Sequence, residues 1–297
     1  MEQRDITPAE HDSNRIIERL LDEKLRAVES AGDADALTYI GPIFDGLETE
    51  VKHAIESIEN RKPKLLVLLE TNGGYIETAE RVANIFRHHY AVVDFIVPNF
   101  AMSAGTVLVM AGDAIHMDYS SVLGPIDPQV FRTGQGFVPA LGYLEQYERL
   151  IDKSAEGNLT TAELHFLVTN FDAAQLYRYE QQRDLSIDLL KEWLVKYKFK
   201  NWATTETRGL NVTDRLRKQR ARTIARQLLN TKRWRSHSRG IPMEVLRRDL
   251  NLKIDDFEQD PELGPKVKEY YRLLKDYQLR RTHNFWVLHT DGHYEGW

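Results

Sequence analysis

Ser103 stands in the stretch Ala101-Met102-Ser103-Ala104-Gly105-Thr106, a short run of small residues that interrupts the mostly apolar segment 99–117. Earlier in the chain, Asn72-Gly73-Gly74 closes another apolar run and precedes a helical pattern. Reactive groups collect at such points in open parallel sheets, where strands end, helices begin and backbone amides are left exposed. Together the two stretches supply a nucleophilic hydroxyl at Ser103 and backbone donors at Gly73, Gly74 and Ala104 for a developing oxyanion, the set that acyl transfer needs. The same residues have plain structural uses, since Asn-Gly-Gly makes a turn and serine caps a helix. The surrounding elements have to decide between these readings.

Those elements alternate. Residues 14–30 space Ile16, Ile17, Leu20, Leu21 and Leu25 at helical intervals on a charged background, which predicts a docking helix. Strands are predicted at 36–43, 64–71, 91–98 and 114–126, and helices at 46–61 and 75–89 and from Ser103 onward. The run Lys64-Leu-Leu-Val-Leu-Leu-Glu70 is continuously apolar inside its ends, as in a strand covered on both faces. Strand and helix alternating through short connections imply parallel pairing by right-handed crossovers. Beyond about residue 140 the pattern becomes helical, with Gly157-Asn158 as the clearest break. The simplest division is an N-terminal helical arm (1–30), an α/β core (31–200) and a C-terminal helical extension (201–297).

Composition bounds the function. The 297 residues, 42% of them hydrophobic, suffice for one large core or two modest ones. Forty basic and 45 acidic groups give a net charge of −5, which argues neither for nucleic acid nor for a membrane surface as partner. With no cysteine, thiol nucleophiles, disulfides and thiolate metal sites are excluded, and a reducing compartment fits. The charged N-terminus lacks a signal-peptide apolar segment, and the most apolar stretch, 91–117, carries Asp94, Pro98, Asp113 and His116, so no membrane span is expected. The expected location is cytoplasmic.

The stretches 71–87, 101–129 and 222–242, which include Thr71-Asn-Gly-Gly-Tyr75, Ala101-Met-Ser-Ala-Gly-Thr106 and Gly124-Pro-Ile-Asp-Pro-Gln129, resemble the serine dehydrogenase proteinase family of the Clp-protease, signal-peptide-peptidase and crotonase superfamily. The resemblance runs from about Asp33 to residue 250; the block from Ser103 to Gln129 is its most specific part and the His237 region its weakest. It implies a crotonase-like, ClpP-type spiral of ββα units, a serine peptidase site, a peptide, unfolded-protein or membrane-protein substrate, no cofactor or metal, and assembly into homo-oligomers. The Clp branch places a histidine soon after the nucleophile, but no histidine occurs between His116 and His165. The signal-peptide-peptidase branch uses a downstream lysine, and the one lysine between Ser103 and Lys191 is Lys153. As the base of a Ser103–Lys153 dyad it would have to be neutral at working pH, which requires burial to draw its pKa well below the ordinary ~10.4.

Thr106 is a candidate to orient Lys153, and Asp127 is the one polar candidate in the rigid Gly124-to-Gln129 turn. His88 and His89 suit a helix end, and His237 a loop-ordering role. His283, His289 and His293, interleaved with Phe285, Trp286 and Trp297, suggest a tail packed on a neighbouring subunit or on the chain's own core. The basic stretch 215–239 carries Ile224, Leu228 and Leu229 at helical spacing, which favours a solvated helix face over a nucleic-acid contact. Two further functions compete with the peptidase: an idle crotonase-fold scaffold that binds a partner through its basic tail, and an acyl-CoA enzyme, for which no adenine-pocket features stand out.

Overall fold

The computed structural model describes residues 8–126, 129–132, 136–205, 208–234, 236 and 239–297. In chain order it contains α1 (Pro8–Gly32), β1 (Asp35–Ile40), α2 (Leu47–Glu56), β2 (Lys64–Glu70), α3 (Ile76–His89), β3 (Val92–Val97), β4 (Phe100–Ala101) and α4 (Ala104–Val109). β5 (Ala114–Met117), β6 (Val122–Leu123), the hairpin β7 (Gln129–Arg132) and β8 (Gly136–Pro139), α5 (Ala140–Ala155), α6 (Thr161–Asn170) and α7 (Ala173–Trp193) follow. After a π-helical turn at Leu194–Lys198 come α8 (Asp214–Leu228), α9 (Thr231–Trp234), β9 (Ile241–Pro242), α10 (Met243–Arg248), β10 (Asp255–Asp256), α11 (Leu263–Arg280), β11 (Val287–Thr290) and β12 (His293–Gly296).

Seven strands form the main sheet in the order β10-β5-β3-β2-β1-β11-β12. Its centre, β5-β3-β2-β1, is parallel, with Leu37 opposite Val67 and Val67 opposite Phe95. Both faces are covered, as the continuous apolar runs require. Leu65, Val67 and Leu69 point into a core built with α2, α3, α4, α7 and α8, whereas Leu66 and Leu68 point into a second core with α1 and α11. Each central strand runs on into a short segment beside it: Thr71 bridges Ala101, and β4 pairs with β6. Strand, short second strand and helix therefore repeat, which is the expected ββα spiral.

The C-terminal extension departs from its purely helical expectation. Residues 241–296 contribute β9, β10, β11 and β12, of two to four residues each, and β11 joins β1 antiparallel with Thr38 opposite His289. Segments this short carry little local pattern, and they are strands because the sheet offers them unpaired edges. The histidine- and tryptophan-bearing tail thus packs on the chain's own core. Tyr270 links Thr38 and His289 through its hydroxyl, 2.8 Å from each, and His289 reaches Asp22 of α1 at 3.2 Å. The N-terminal arm docks here through Leu21, Leu25 and Val28, and Ile16, expected on its apolar stripe, is exposed. No described helix is long and apolar enough to cross a membrane.

Burial at the α1–β1 junction stores a measurable pH dependence. Glu29 accepts the Ala36 amide at 2.9 Å, and burial, with Asp291 and Asp35 nearby, pushes its carboxyl up to about 7. The fold therefore binds this proton more tightly than the unfolded chain does. Its contribution is complete below the ordinary carboxylate range and drains away as pH rises through 7. Glu29→Gln keeps the acceptor and removes the charge. It should raise stability by about 1 kcal/mol at pH 8 and change it little at pH 5 in paired thermal melts.

Candidate active site

Two turns meet at the C-terminal ends of β2 and β3. The β2 turn is fastened by parallel bridging: the Thr71 amide donates to Phe100 O at 3.0 Å, and the Met102 amide to Thr71 O at 2.9 Å. On its other side the Ile43 amide donates to Gly73 O, and the Tyr75 amide to Ile43 O, both at 2.9 Å. Glycine is required at both positions. Gly73 has φ 93°, and a Cβ there would lie 2.7 Å from Met102 O and 2.8 Å from Ser103 Cβ; Gly74 has φ 151°, and its Cβ would strike Ile43 O. Only a bare backbone can approach the serine this closely.

Ser103 is held in a conformation that L-residues seldom adopt, with φ 51° and ψ −119°, at the sharp step from β4 into α4. It is only 3% exposed. Such backbone costs about 1–3 kcal/mol and persists where the surroundings over-determine it, as in strained strand-to-helix turns that present a nucleophile. Here the surroundings are the Gly105 amide donating to Met102 O at 2.8 Å, the Val107 amide to Ser103 O at 3.2 Å, and the wall of Gly73.

A small cleft opens at this point, lined among the described residues by Gly74, Ile76, Ser103, Ala104, Ile126, Gln182 and Ser186. Three expected residues, Ser103, Gly74 and Ala104, are thus brought together. Gly73 sits just behind them, and its amide is taken by the Thr71 hydroxyl at 3.0 Å. That leaves the amides of Gly74 and Ala104 as the candidate donors for an oxyanion.

The supporting residues fall elsewhere. Thr106, expected beside Lys153, is fully buried and donates its hydroxyl to the carbonyls of Ala101 (2.7 Å) and Gly124 (3.0 Å) while accepting the Gly124 amide at 2.9 Å. It ties α4 to the turn after β6, because a buried hydroxyl takes the nearest backbone partners. Lys153, near the end of α5, pairs with Glu163 of α6 at 2.6 Å, its side chain 39% exposed, and it is not among the residues lining the cleft. That ammonium, with Thr160, holds the Glu163 carboxyl down at about 2. Asp127 and His237 lie outside the described residues.

Gln182 and Ser186, two residues of the cleft, were not singled out by their sequence. They occupy one face of α7 a turn apart, in a helix whose composition marks nothing unusual. The basic stretch resolves into α8, which buries Ala221, Ile224, Ala225 and Leu228, and into contacts within the chain: Arg217 to Trp202 O at 2.9 Å and Arg233 to Asp249 at 2.5 Å. Among the described residues no group of three or more His, Asp or Glu side chains could hold a metal ion.

A family model described as ClpP-like SDH-type serine proteinase matches residues 14–216. Two uncharacterised proteins of Methanocaldococcus jannaschii are similar. One is 31% identical over 134 residues, 44% of either chain. The other is 34% identical over 116 residues, 39% of this chain and 38% of its own. The chain thus spans less than half the length of these relatives. Among solved structures, a mutant of the 1510-N membrane-bound stomatin-specific protease in complex with a substrate peptide is 12% identical, covers 88% of this chain and 84% of its own, and superposes with a TM-score of 0.45.

The strained turn generates a prediction that needs no substrate. Ser103→Gly relieves the backbone and Ser103→Ala does not, so the glycine variant should be the more stable of the two by about 1–3 kcal/mol in denaturant unfolding. Equal stabilities would mean that the turn is unstrained. Gly73→Ala should do the reverse, displacing the turn and lowering the melting temperature.

Proposed function

The chain belongs to the ClpP-like SDH-type serine proteinases, and on that premise we propose that it is an endopeptidase in which Ser103 attacks the scissile carbonyl. The observation that carries this reading is the strained, buried Ser103, which lines one cleft together with Gly74 and Ala104. A substrate chain lies extended along the Gly73–Gly74 turn, adding a strand to the ends of the sheet. Ser103 Oγ bonds to the carbonyl carbon, its proton passes to Lys153, and the two amides hold the oxyanion. The carbon–nitrogen bond then breaks as Lys153 returns the proton to the leaving amine. Water attacks the acyl-serine ester and releases the second product.

In this scheme the Lys153–Glu163 pair must open, because the amine has to exchange a carboxylate for the Ser103 hydroxyl. That same pair favours a second reading, a scaffold of this fold without peptidase activity. Assembly with further copies belongs to the first reading as well: α6 buries none of its residues and leaves Leu164, Phe166 and Val168 exposed.

Cleavage of a labelled unfolded protein by the full chain separates the two readings. Wild type should cleave it, Ser103→Ala should abolish cleavage, and Lys153→Ala should lower it by at least ~10²-fold. Glu163→Gln, which releases the amine, should raise the rate. Cleavage that persists in both Ser103→Ala and Lys153→Ala would eliminate the dyad; a folded wild type that cleaves nothing would establish the scaffold.

A further inference from the structure

α7 gives the Ser103 cleft two polar residues where the rest of its inner face is apolar. Lower on the helix, Leu189, Leu190 and Trp193 bury themselves against the sheet-covering core. At the cleft that face switches to Gln182 and Ser186, which share the lining with Ile76, Ile126, Gly74, Ser103 and Ala104. Ser186 is 3% exposed and donates its hydroxyl to Gln182 O at 2.8 Å, which leaves the lone pairs of its oxygen as acceptors. Gln182 Oε1 is shut off from solvent and has no hydrogen-bond partner among the described residues. A buried acceptor left unpaired costs about 1–3 kcal/mol, so a helix that keeps one beside a candidate nucleophile has a use for it.

We propose that Gln182 and Ser186 form a specificity pocket for the substrate residue next to the scissile bond, and that it selects short side chains bearing a hydrogen-bond donor: Thr, Ser or Asn. This rests on the peptidase reading of the same cleft. A turn of the Gln182 amide about its last torsion presents Oε1 to the cleft, where a hydroxyl of Thr or Ser donates to it while its carbon atoms meet Ile76 and Ile126. Leu and Phe overfill the narrow cleft and seal the acceptor off without a partner. Lys and Arg find no carboxylate among the described lining residues to balance their charge. Thr against Val is the sharpest comparison, because the two have the same shape and differ by the donor that the pocket reads. A site built around such a hydrogen bond discriminates far better than one that measures size alone.

The test uses full-length Ser103→Ala protein and fluorescein-labelled Gly/Ala peptides with a single central Thr, Ser, Asn, Val or Leu, with binding followed by anisotropy. The Thr peptide should bind about tenfold tighter than the Val peptide, and adding Gln182→Leu should erase the difference. Gln182→Met and Ser186→Ala, each checked for a native melt, repeat the measurement in case the leucine variant is misfolded; they should narrow the gap. In parallel, wild type is given an unfolded protein and its cuts are mapped by mass spectrometry, where Thr, Ser and Asn should predominate beside the cut. Equal affinity for Thr and Val peptides, a preference that survives loss of both polar groups, or no binding of any peptide would overturn the pocket. A wild type that cuts nothing while its Ser103→Ala form still discriminates Thr from Val would overturn the peptidase reading and leave the pocket standing.

Discussion

The candidate site depends on one close approach, that of the Gly73 backbone to the Ser103 turn. Where any other residue would place a Cβ, Met102 O and Ser103 Cβ already stand within 2.8 Å. That contact forces the β2 turn to be bare and helps hold Ser103 at φ 51°. It also brings Gly74 and Ala104 together with Ser103 in the lining of one cleft. Parallel pairing makes the approach reproducible. β2 and β3 end side by side, so the segments leaving them bridge at Thr71 and Ala101 before either turns into its helix. The register of the sheet is thereby transmitted to the site through backbone hydrogen bonds alone.

The tip of β2 is braced from the far face by residues well beyond the family match. Glu70 is 6% exposed; it takes an ammonium from Lys275 at 3.0 Å and a hydroxyl from Tyr271, both on α11. Its carbonyl accepts the Gly41 amide at 3.0 Å, which fixes the loop that carries Ile43 to Gly73. A buried carboxylate is costly unless paired and hydrogen-bonded, so α11 and the strand tip constrain each other. The C-terminal helix and the β11–β12 hairpin that follows it are in this sense part of the site's support.

What could be read from sequence divides along the range of the interactions involved. The continuous apolar run of β2 announced a strand covered on both faces, because Leu65, Val67 and Leu69 serve one core and Leu66 and Leu68 the other. The two glycine- and serine-bearing turns were legible for the same reason: each follows such a run directly. β11 was not legible, since Val287–Thr290 becomes a strand only by pairing with Thr38–Ile40 at the other end of the chain. Gln182 and Ser186 were hidden differently. In a long helix two polar residues a turn apart look like solvent-facing positions, and only the fold reveals that this face turns inward against Ser103. Thr106 stands three residues from Ser103, yet full burial hands its hydroxyl to Ala101 and Gly124.

The candidate base is governed by a different structural unit from the nucleophile, and this explains why one follows from the sheet and the other does not. Glu163 is the third residue of α6 and closes a reciprocal capping box with Thr160: its carboxylate takes the Thr160 amide at 3.1 Å, while its own amide donates to the Thr160 hydroxyl at 3.2 Å. The carboxylate that meets Lys153 is therefore held, through its other oxygen, by the start of a helix that buries none of its own residues. An exposed ion pair contributes little to stability, so the pair marks where the amine rests without locking it there. Ser103, by contrast, is fixed by core packing and by backbone bonds that cannot be exchanged without unmaking the turn. The sheet thus fixes Ser103, Gly73 and Gly74 through backbone bonds, whereas Lys153 rests on the α5–α6 arm in a side-chain pair that can exchange.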